Sequence, residues 1–213
     1  MCRYKKINIC EQFINANRII GLTIIYIFDI ENKTIIMKKF GLILILLTFA
    51  ISISFAQETK EKKYQKIPSV EIKTPDGKMI NTSEINNNGK PIIISFWATW
   101  CKPCVTELTT IADVYEDWQK ETGVLLIAVS IDDARSSSQV KPLVDGKGWS
   151  YMVLLDVNND FKRAMNVNLV PQTFVLNGNG EIVWQHTSFS PGSELSLIDI
   201  VKKVAAGLPV TND

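Results

Sequence analysis

The feature that most constrains the fold is the stretch 90–104, KPIIISFWATWCKPC, in which an apolar run leads directly into two cysteines. The run after Pro91 predicts a strand that is covered on both faces of a sheet. Beyond Cys104, apolar residues recur at spacings of three and four, which predicts a helix with one buried face. These residues are Val105, Leu108, Ile111, Ala112 and Tyr115. The cysteines therefore lie where a buried strand gives way to a helix.

The position of the two cysteines at a predicted helix start has chemical consequences. Free backbone N–H groups and the positive end of the helix dipole favour a thiolate at Cys101. Cys104 lies one turn further along, where its sulfur can attack a mixed disulfide formed at Cys101. Pro103 lacks a backbone N–H, but this costs little, because the N–H groups of a first helical turn have no intrahelical acceptor. A low-pKa thiol followed three residues later by a second thiol is the minimal apparatus for thiol–disulfide exchange.

Residues 96–104, Phe-Trp-Ala-Thr-Trp-Cys-Lys-Pro-Cys, resemble the active-site signature of thioredoxin-fold proteins. The motif is most similar to that of the TlpA/ResA-like branch, whose members are exported thiol–disulfide oxidoreductases. The resemblance covers residues 67–207. It implies an α/β, thioredoxin-like fold: a central mixed β-sheet flanked by helices, with an N-terminal β-hairpin and an inserted helix. We expect no cofactor and no metal.

Other uses of a cysteine pair are a structural disulfide, half of a zinc site, a copper carrier and a thiol peroxidase. A structural zinc ion takes four ligands, and only His186, Cys2 and Cys10 remain outside the pair. Two thiolates suit Cu(I), but the His or Met ligand expected beside them has no motif-like spacing here. A peroxidase would set its cysteine among Thr and Arg residues, and no such arrangement surrounds Cys101.

The N-terminal part of the chain is organised as a leader. Residues 37–56 have a charged start, an apolar run without charge, and small residues at the end, the layout of a signal peptide cleaved after Ala56. Residues 1–36 lack a clear amphipathic period, and we interpret them as upstream sequence ahead of an initiating Met37. We expect a periplasmic or otherwise exported protein. An uncleaved leader would instead be a membrane anchor, at the lower limit of length for a span.

The remainder of the chain divides into a charged linker, 57–66, and a domain, 67–213. Residues 1–56 carry seven Lys/Arg and three Asp/Glu, which leaves sixteen Lys/Arg and nineteen Asp/Glu for residues 57–213. This mildly acidic balance gives no electrostatic case for nucleic-acid binding. Along the domain we predict a hairpin (70–80), a second central strand (124–131), an inserted helix (136–144) and a short strand (151–155). A further helix (158–165), a second hairpin (169–185) and a closing helix (193–206) follow. A helical turn near 82 is expected to be capped by Thr82 or Ser83, and the inserted helix to end at 145–146.

A second signature lies in residues 169–176, Leu-Val-Pro-Gln-Thr-Phe-Val-Leu. Pro171 at the head of a strand resembles the cis-proline of the family, which faces the cysteine pair. Since proline has no N–H, the backbone of Val170 is left free to pair with an extended partner chain beside Cys101. An ordinary trans proline at a strand start is the alternative.

Glu107 is the acidic residue singled out by its spacing. It lies one helical turn after Cys104, where a carboxylate can accept a thiol proton, and ResA-like proteins have Glu at this spacing. A solvated helix-face glutamate is the alternative. Thioredoxin has Asp where this chain has Ser95, so the usual proton relay is absent. Thr109 stands where relatives often carry Pro, so the resemblance does not imply their helix kink.

The resemblance implies a division of roles. Cys101 is the nucleophile, Cys104 resolves the mixed disulfide, and Val170 with Pro171 docks the partner. Around them, Trp100, Lys102 and Pro103 contribute to partner binding. The partners are protein thiols and disulfides. A reductive role, for example in cytochrome c maturation, would require a membrane electron donor, whereas an oxidase or isomerase would use the same residues.

Overall fold

The apolar run after Pro91 forms a central strand, β3 (Ile92–Trp97), whose six residues are all buried. The computed structural model describes residues 64–211. The other strands are β1 (Glu71–Lys73), β2 (Met79–Asn81), β4 (Leu125–Ser130), β5 (Met152–Leu155), β6 (Gln172–Leu176) and β7 (Ile182–Thr187). The α-helices are α1 (Lys102–Thr122), α2 (Val140–Lys147), α3 (Asp160–Ala164) and α4 (Ser193–Ala205). Short 3-10 helices cover Thr82–Glu84 and Ser137–Gln139.

The seven strands form one mixed sheet in the order β2-β1-β5-β4-β3-β6-β7. Strands β3, β4 and β5 are mutually parallel, because helices connect them in sequence. Strand β6 returns antiparallel to β3, and β1–β2 and β6–β7 are hairpins. The predicted mixed sheet with an N-terminal hairpin is therefore present. The register pairs Phe96 with Gln172, so the end of β3 lies beside the start of β6.

Aromatic side chains fill the interior on both faces of the sheet. Phe96 packs against Phe161 of α3 and Phe174 of β6, with ring centroids 5.3 and 5.9 Å apart. Trp97 lies edge-on to Trp149 at 5.1 Å. Each large apolar side chain removed from water contributes about 1.5–3 kcal/mol to folding. Trp97 is fully buried and is therefore a core residue.

The central helix begins at the cysteines, as its sequence predicts. Cys101 is the N-cap of α1, and Gly123 ends the helix in the left-handed conformation at φ 69°. On its outer side, Lys202 of α4 forms an ion pair with Glu121 at 2.9 Å. Thr109 donates its hydroxyl to the Val105 carbonyl at 2.7 Å, and the 21-residue helix runs without interruption.

Two local predictions are wrong in detail. The first 3-10 turn is capped by Asn81, whose side-chain oxygen accepts the N–H of Ser83. Thr82 and Ser83 cannot be its N-cap, because both already lie inside the turn. The inserted helix α2 continues past 145–146 and ends at Gly148, at φ 66°. Gly146 has a conformation compatible with the helix, and the left-handed residue that ends the helix comes two positions later.

The folded domain begins before Ile67. Lys66 forms an isolated antiparallel bridge with Glu181, and the N–H of Ile182 donates to the Gln65 carbonyl at 2.8 Å. The last residues assigned to the linker thus pair with the start of β7. Residues 1–63, which include the expected leader, lie outside the described residues. Within 64–211, no helix has the length and apolarity that crossing a membrane requires.

A close backbone approach holds two loops together at the end of the sheet opposite the cysteines. The turn after β6 brings Gly178 against Gly89, which precedes β3. An added Cβ at Gly178 would lie 2.2 Å from the Gly89 carbonyl oxygen, well inside van der Waals contact. Only glycine permits this approach.

Candidate active site

Cys101 and Cys104 are joined in a disulfide at the N-terminus of α1. Cys101 is 7% exposed and Cys104 is fully buried, so the outer sulfur is the accessible one. The backbone N–H of Cys104 donates to the Cys101 sulfur at 3.3 Å. In the reduced protein this donor and the helix dipole would stabilise a thiolate at Cys101. Lys102 and Pro103 form the exposed first turn of the helix.

The loop between β3 and Cys101 is anchored by Asp132, which sequence analysis did not identify. Its carboxylate accepts the Thr99 N–H at 2.9 Å, the Thr99 hydroxyl at 2.6 Å and the Ser130 hydroxyl at 2.8 Å. Asp132 is 1% exposed, so these three donors replace water around the charge. The interaction fixes the chain two residues before Cys101. The only sequence signal was an acidic residue directly after a predicted buried strand.

The Val170–Pro171 peptide bond is cis, as predicted, and lies against the disulfide. The Val170 carbonyl oxygen is 3.8 Å from the Cys101 sulfur. Pro171 itself is buried, whereas the neighbouring Leu169 and Trp100 are each 67% exposed. The accessible sulfur therefore lies next to a backbone carbonyl, and the residues that precede Cys101 and Val170 in the chain are both apolar and exposed.

Glu107 is buried beneath this surface, at 6% exposure. One carboxylate oxygen accepts the Thr173 hydroxyl at 3.0 Å, and Thr173 Oγ1 lies 3.3 Å from the buried Ser95 hydroxyl. The other oxygen, Oε2, has no hydrogen-bond partner among the described residues. Burial raises the pKa of Glu107 to about 7, against a smaller lowering by Thr173. The interpretation as a solvated surface glutamate is therefore wrong.

The hydroxyl of Tyr151 lies close enough to Glu107 for the charge of the carboxylate to act on it. Tyr151 donates its hydroxyl to the Leu108 carbonyl at 3.0 Å. Burial raises the pKa of Tyr151 first, and the charge of Glu107 raises it further. A carboxyl group with a pKa near 7 can both accept and release a proton at neutral pH.

The structure brings together the predicted cysteine pair, Glu107 and the cis-proline loop. Thr173, which sequence analysis noted only as part of a signature, proves to be the hydrogen-bond partner of Glu107. His186 stacks on Trp184, with ring centroids 5.8 Å apart, and is exposed. Among residues 64–211, no three His, Cys, Asp or Glu side chains are grouped to hold a metal ion.

Comparisons with known proteins place the chain in a family. Residues 64–185 match the model of the AhpC/TSA family. The thiol-disulfide oxidoreductase ResA of Oceanobacillus iheyensis is 31% identical over 147 residues, which cover 65% of this chain and 75% of that protein. ResA of Bacillus subtilis is 29% identical over 129 residues, covering 61% and 69% respectively.

Solved structures support the predicted thioredoxin-like fold. A thioredoxin-like protein from Porphyromonas gingivalis is 53% identical, with a TM-score of 0.61, and the match covers 68% of this chain and 95% of that one. A putative thiol:disulfide interchange protein DsbE from Chlorobium tepidum, at 21% identity, has a TM-score of 0.59 and is covered to 98%, against 68% of this chain. The fold prediction is confirmed.

Proposed function

The chain belongs to the AhpC/TSA family and to the ResA-like thiol–disulfide oxidoreductases, and we propose that it acts outside the cytoplasm as a reductant of protein disulfides. The observation that carries the proposal is the placement of the Cys101 sulfur. It lies at a helix N-terminus, 3.8 Å from the Val170 carbonyl, and the preceding residues in the two segments, Trp100 and Leu169, are exposed. This arrangement presents one sulfur to an extended chain and keeps Cys104 covered.

The first step is attack by the Cys101 thiolate on one sulfur of the partner disulfide. A bond forms between Cys101 and that sulfur, the partner S–S bond breaks, and the second partner sulfur leaves as a thiolate that takes a proton from water. The Cys104 N–H donor, 3.3 Å from the Cys101 sulfur in the disulfide form, favours the thiolate that starts this reaction.

The second step releases the partner. The Cys104 thiol loses its proton and attacks the Cys101 sulfur, which forms the intramolecular disulfide and expels the remaining partner sulfur as a thiolate. Two electrons have then passed from the cysteine pair to the partner. We assign Glu107 as the proton acceptor for Cys104, because it lies one turn away on the same helix and its pKa is about 7.

A reductant in an oxidising compartment needs a supply of electrons. We therefore propose that a membrane dithiol donor reduces the Cys101–Cys104 disulfide after each cycle. Cytochrome c maturation, in which haem-binding cysteines must be reduced, is the proposed setting. Export rests on the signal-peptide layout of residues 37–56, and N-terminal sequencing of the mature protein is expected to begin at Gln57.

Trapping tests the proposal. In Cys104→Ala, the Cys101 thiolate can form the mixed disulfide but nothing resolves it, so partners should remain attached through Cys101. Mass spectrometry of a non-reduced preparation from the producing cells identifies them. The matched variant Cys101→Ala should capture no partner.

Two results would contradict the proposal. Equal capture by Cys101→Ala would move the nucleophile elsewhere. Rapid consumption of a hydroperoxide by the wild-type protein, without reduction of any protein disulfide, would identify a thiol peroxidase instead.

A further inference from the structure

A groove of about 630 Å³ lies next to the cis-proline loop, between the chain after α3 and the β6–β7 hairpin. Its position follows from the chain order, because Leu169 and Gln172 both line it and immediately flank Val170 and Pro171. Leu169 therefore belongs both to the groove and to the exposed chain next to Val170, whose carbonyl faces the Cys101 sulfur. Its volume falls within the range typical of ligand pockets.

The lining of the groove is dominated by side-chain amides. Among the described residues that line it, none carries a charge. Met165 and Phe174, each almost fully buried, provide an apolar floor, and exposed Leu169 forms part of the rim. The five amides are those of Gln65, Asn166, Asn168, Gln172 and Gln185.

Gln172 is the residue that points to a ligand. It is 9% exposed, and within residues 64–211 its side-chain amide makes no hydrogen bond, although its backbone pairs in the sheet. The amide atoms themselves are not fully buried, so they face the open groove. Such a group can exchange water for a ligand that both donates and accepts a hydrogen bond.

The uncharged amides and the apolar floor of the groove favour one class of ligand. Amides that donate and accept without charge match the peptide group, and the apolar floor matches one uncharged side chain. We propose that this groove binds the uncharged residues that flank the reacting cysteine of a polypeptide substrate; this inference rests on the proposed function. The linker of this chain is a poor occupant, because five of the seven residues in 57–63 are charged.

Direct binding is the first test. A short uncharged peptide with Ala in place of Cys is titrated into ¹⁵N-labelled wild-type protein. The side-chain NH₂ resonances of Gln172 should shift and saturate, and a peptide flanked by Lys and Glu should shift them far less. Shifts that depend on protein concentration alone would overturn the proposal in favour of a second copy of the chain. No shift with either peptide would also overturn it.

Kinetics provide the second test. Reduced protein is mixed with an uncharged peptide disulfide and, separately, with the small disulfide 5,5′-dithiobis(2-nitrobenzoate). Gln172→Leu should lower the ratio of the two rates about tenfold, mainly through a higher KM for the peptide. A tenfold change corresponds to about 1.4 kcal/mol. Thermal stability should change little, because the amide makes no hydrogen bond to the residues that the structure describes. A merely structural role for Gln172 would leave the ratio unchanged.

Two further variants keep the test decisive. Asn168→Leu removes an exposed amide at the groove and should also lower the ratio, even if Gln172→Leu folds poorly. Asn86→Leu makes the same change in an exposed loop before β3, at the far end of the sheet, and should have no effect. An unchanged ratio in Asn168→Leu, or an equal loss in Asn86→Leu, would refute the groove. Failure of the wild-type protein to react with the small disulfide would refute the proposed function itself.

Discussion

The Thr173 hydroxyl donates to Glu107 across a gap of 66 residues in sequence, at 3.0 Å between oxygens. Among the described residues this is the one hydrogen bond that the buried carboxylate accepts. It links β6, the strand that follows the cis-proline, to the helix that carries both cysteines. The pKa of Glu107 is therefore set jointly by its burial in the helix face and by a hydroxyl from the docking strand.

Thr173→Val should raise the pKa of Glu107 above about 7. Thr173 lowers that pKa in the wild-type protein by donating to the charged form, and valine keeps the shape without the donor. Loss of the hydrogen bond should also cost about 1–3 kcal/mol of unfolding free energy. Titration of a ¹³C-labelled glutamate carboxyl by NMR measures the shift. Thr106→Val removes an exposed hydroxyl that bonds within its own helix, and it should leave the pKa of Glu107 unchanged.

The stability of the oxidised protein should fall as pH rises from about 4.5 to about 7. Glu107 has a pKa of about 7 in the folded protein and an ordinary pKa of 4.5 when exposed, so the native state binds more protons than the unfolded state in this window. The difference corresponds to about 3 kcal/mol. Urea unfolding should show this loss in the wild-type protein and not in Glu107→Gln. Equal pH slopes in both proteins would contradict the buried, shifted carboxyl.

Glu107→Gln should also slow release of the partner. Without a carboxylate to accept the Cys104 proton, resolution of a preformed mixed disulfide on Cys101 should be roughly a hundredfold slower near pH 7, at the lower end of the range typical of general bases. Release of a fluorescent peptide thiol measures the rate. Glu116→Gln, on the exposed face of the same helix, is the matched control and should behave as wild type.

Asp132→Asn should loosen the loop that precedes Cys101. An asparagine side chain has one acceptor oxygen and places an NH₂ group against donors from Thr99 or Ser130. The expected loss is about 1–3 kcal/mol of unfolding free energy, with altered alkylation of Cys101 in the reduced protein. Asp133→Asn removes the neighbouring exposed ion pair with Arg135 and should change little.

Gly178→Ala should destabilise the fold although it adds a single methyl group. The new Cβ would meet the Gly89 carbonyl at 2.2 Å, and backbone must move to relieve the contact. A cost of about 1–3 kcal/mol is typical of overpacking. Gly146→Ala is the control: nothing lies within 4 Å of its Cβ, and it should gain about 0.5–1 kcal/mol as a helical alanine. Urea unfolding of both variants distinguishes the steric clash at Gly178 from the change in helix propensity at Gly146.

The sequence predicted those features that depend on local pattern. The apolar run at 92–97, the spacing after Cys104 and the proline at 171 each specify structure within a few residues of themselves. The hydrogen bonds of Asp132 and Thr173 could not be predicted in this way, because they join strands and helices that are distant along the chain. The end of α2 was missed for a different reason: Gly146 and Gly148 are both adequate helix ends in sequence, and only packing decides between them.

Strand β6 contributes adjacent residues to two separate parts of the molecule, the amide-lined groove and the surroundings of Glu107. Because successive side chains in a strand point to opposite faces, Gln172 is directed into the amide-lined groove while Thr173 is directed towards Glu107. Changes at the first position would alter which polypeptides are accepted, and changes at the second would alter the proton chemistry. Substrate preference could thus diversify among relatives, or be redesigned in the laboratory, while the electron-transfer machinery one residue away is inherited unchanged.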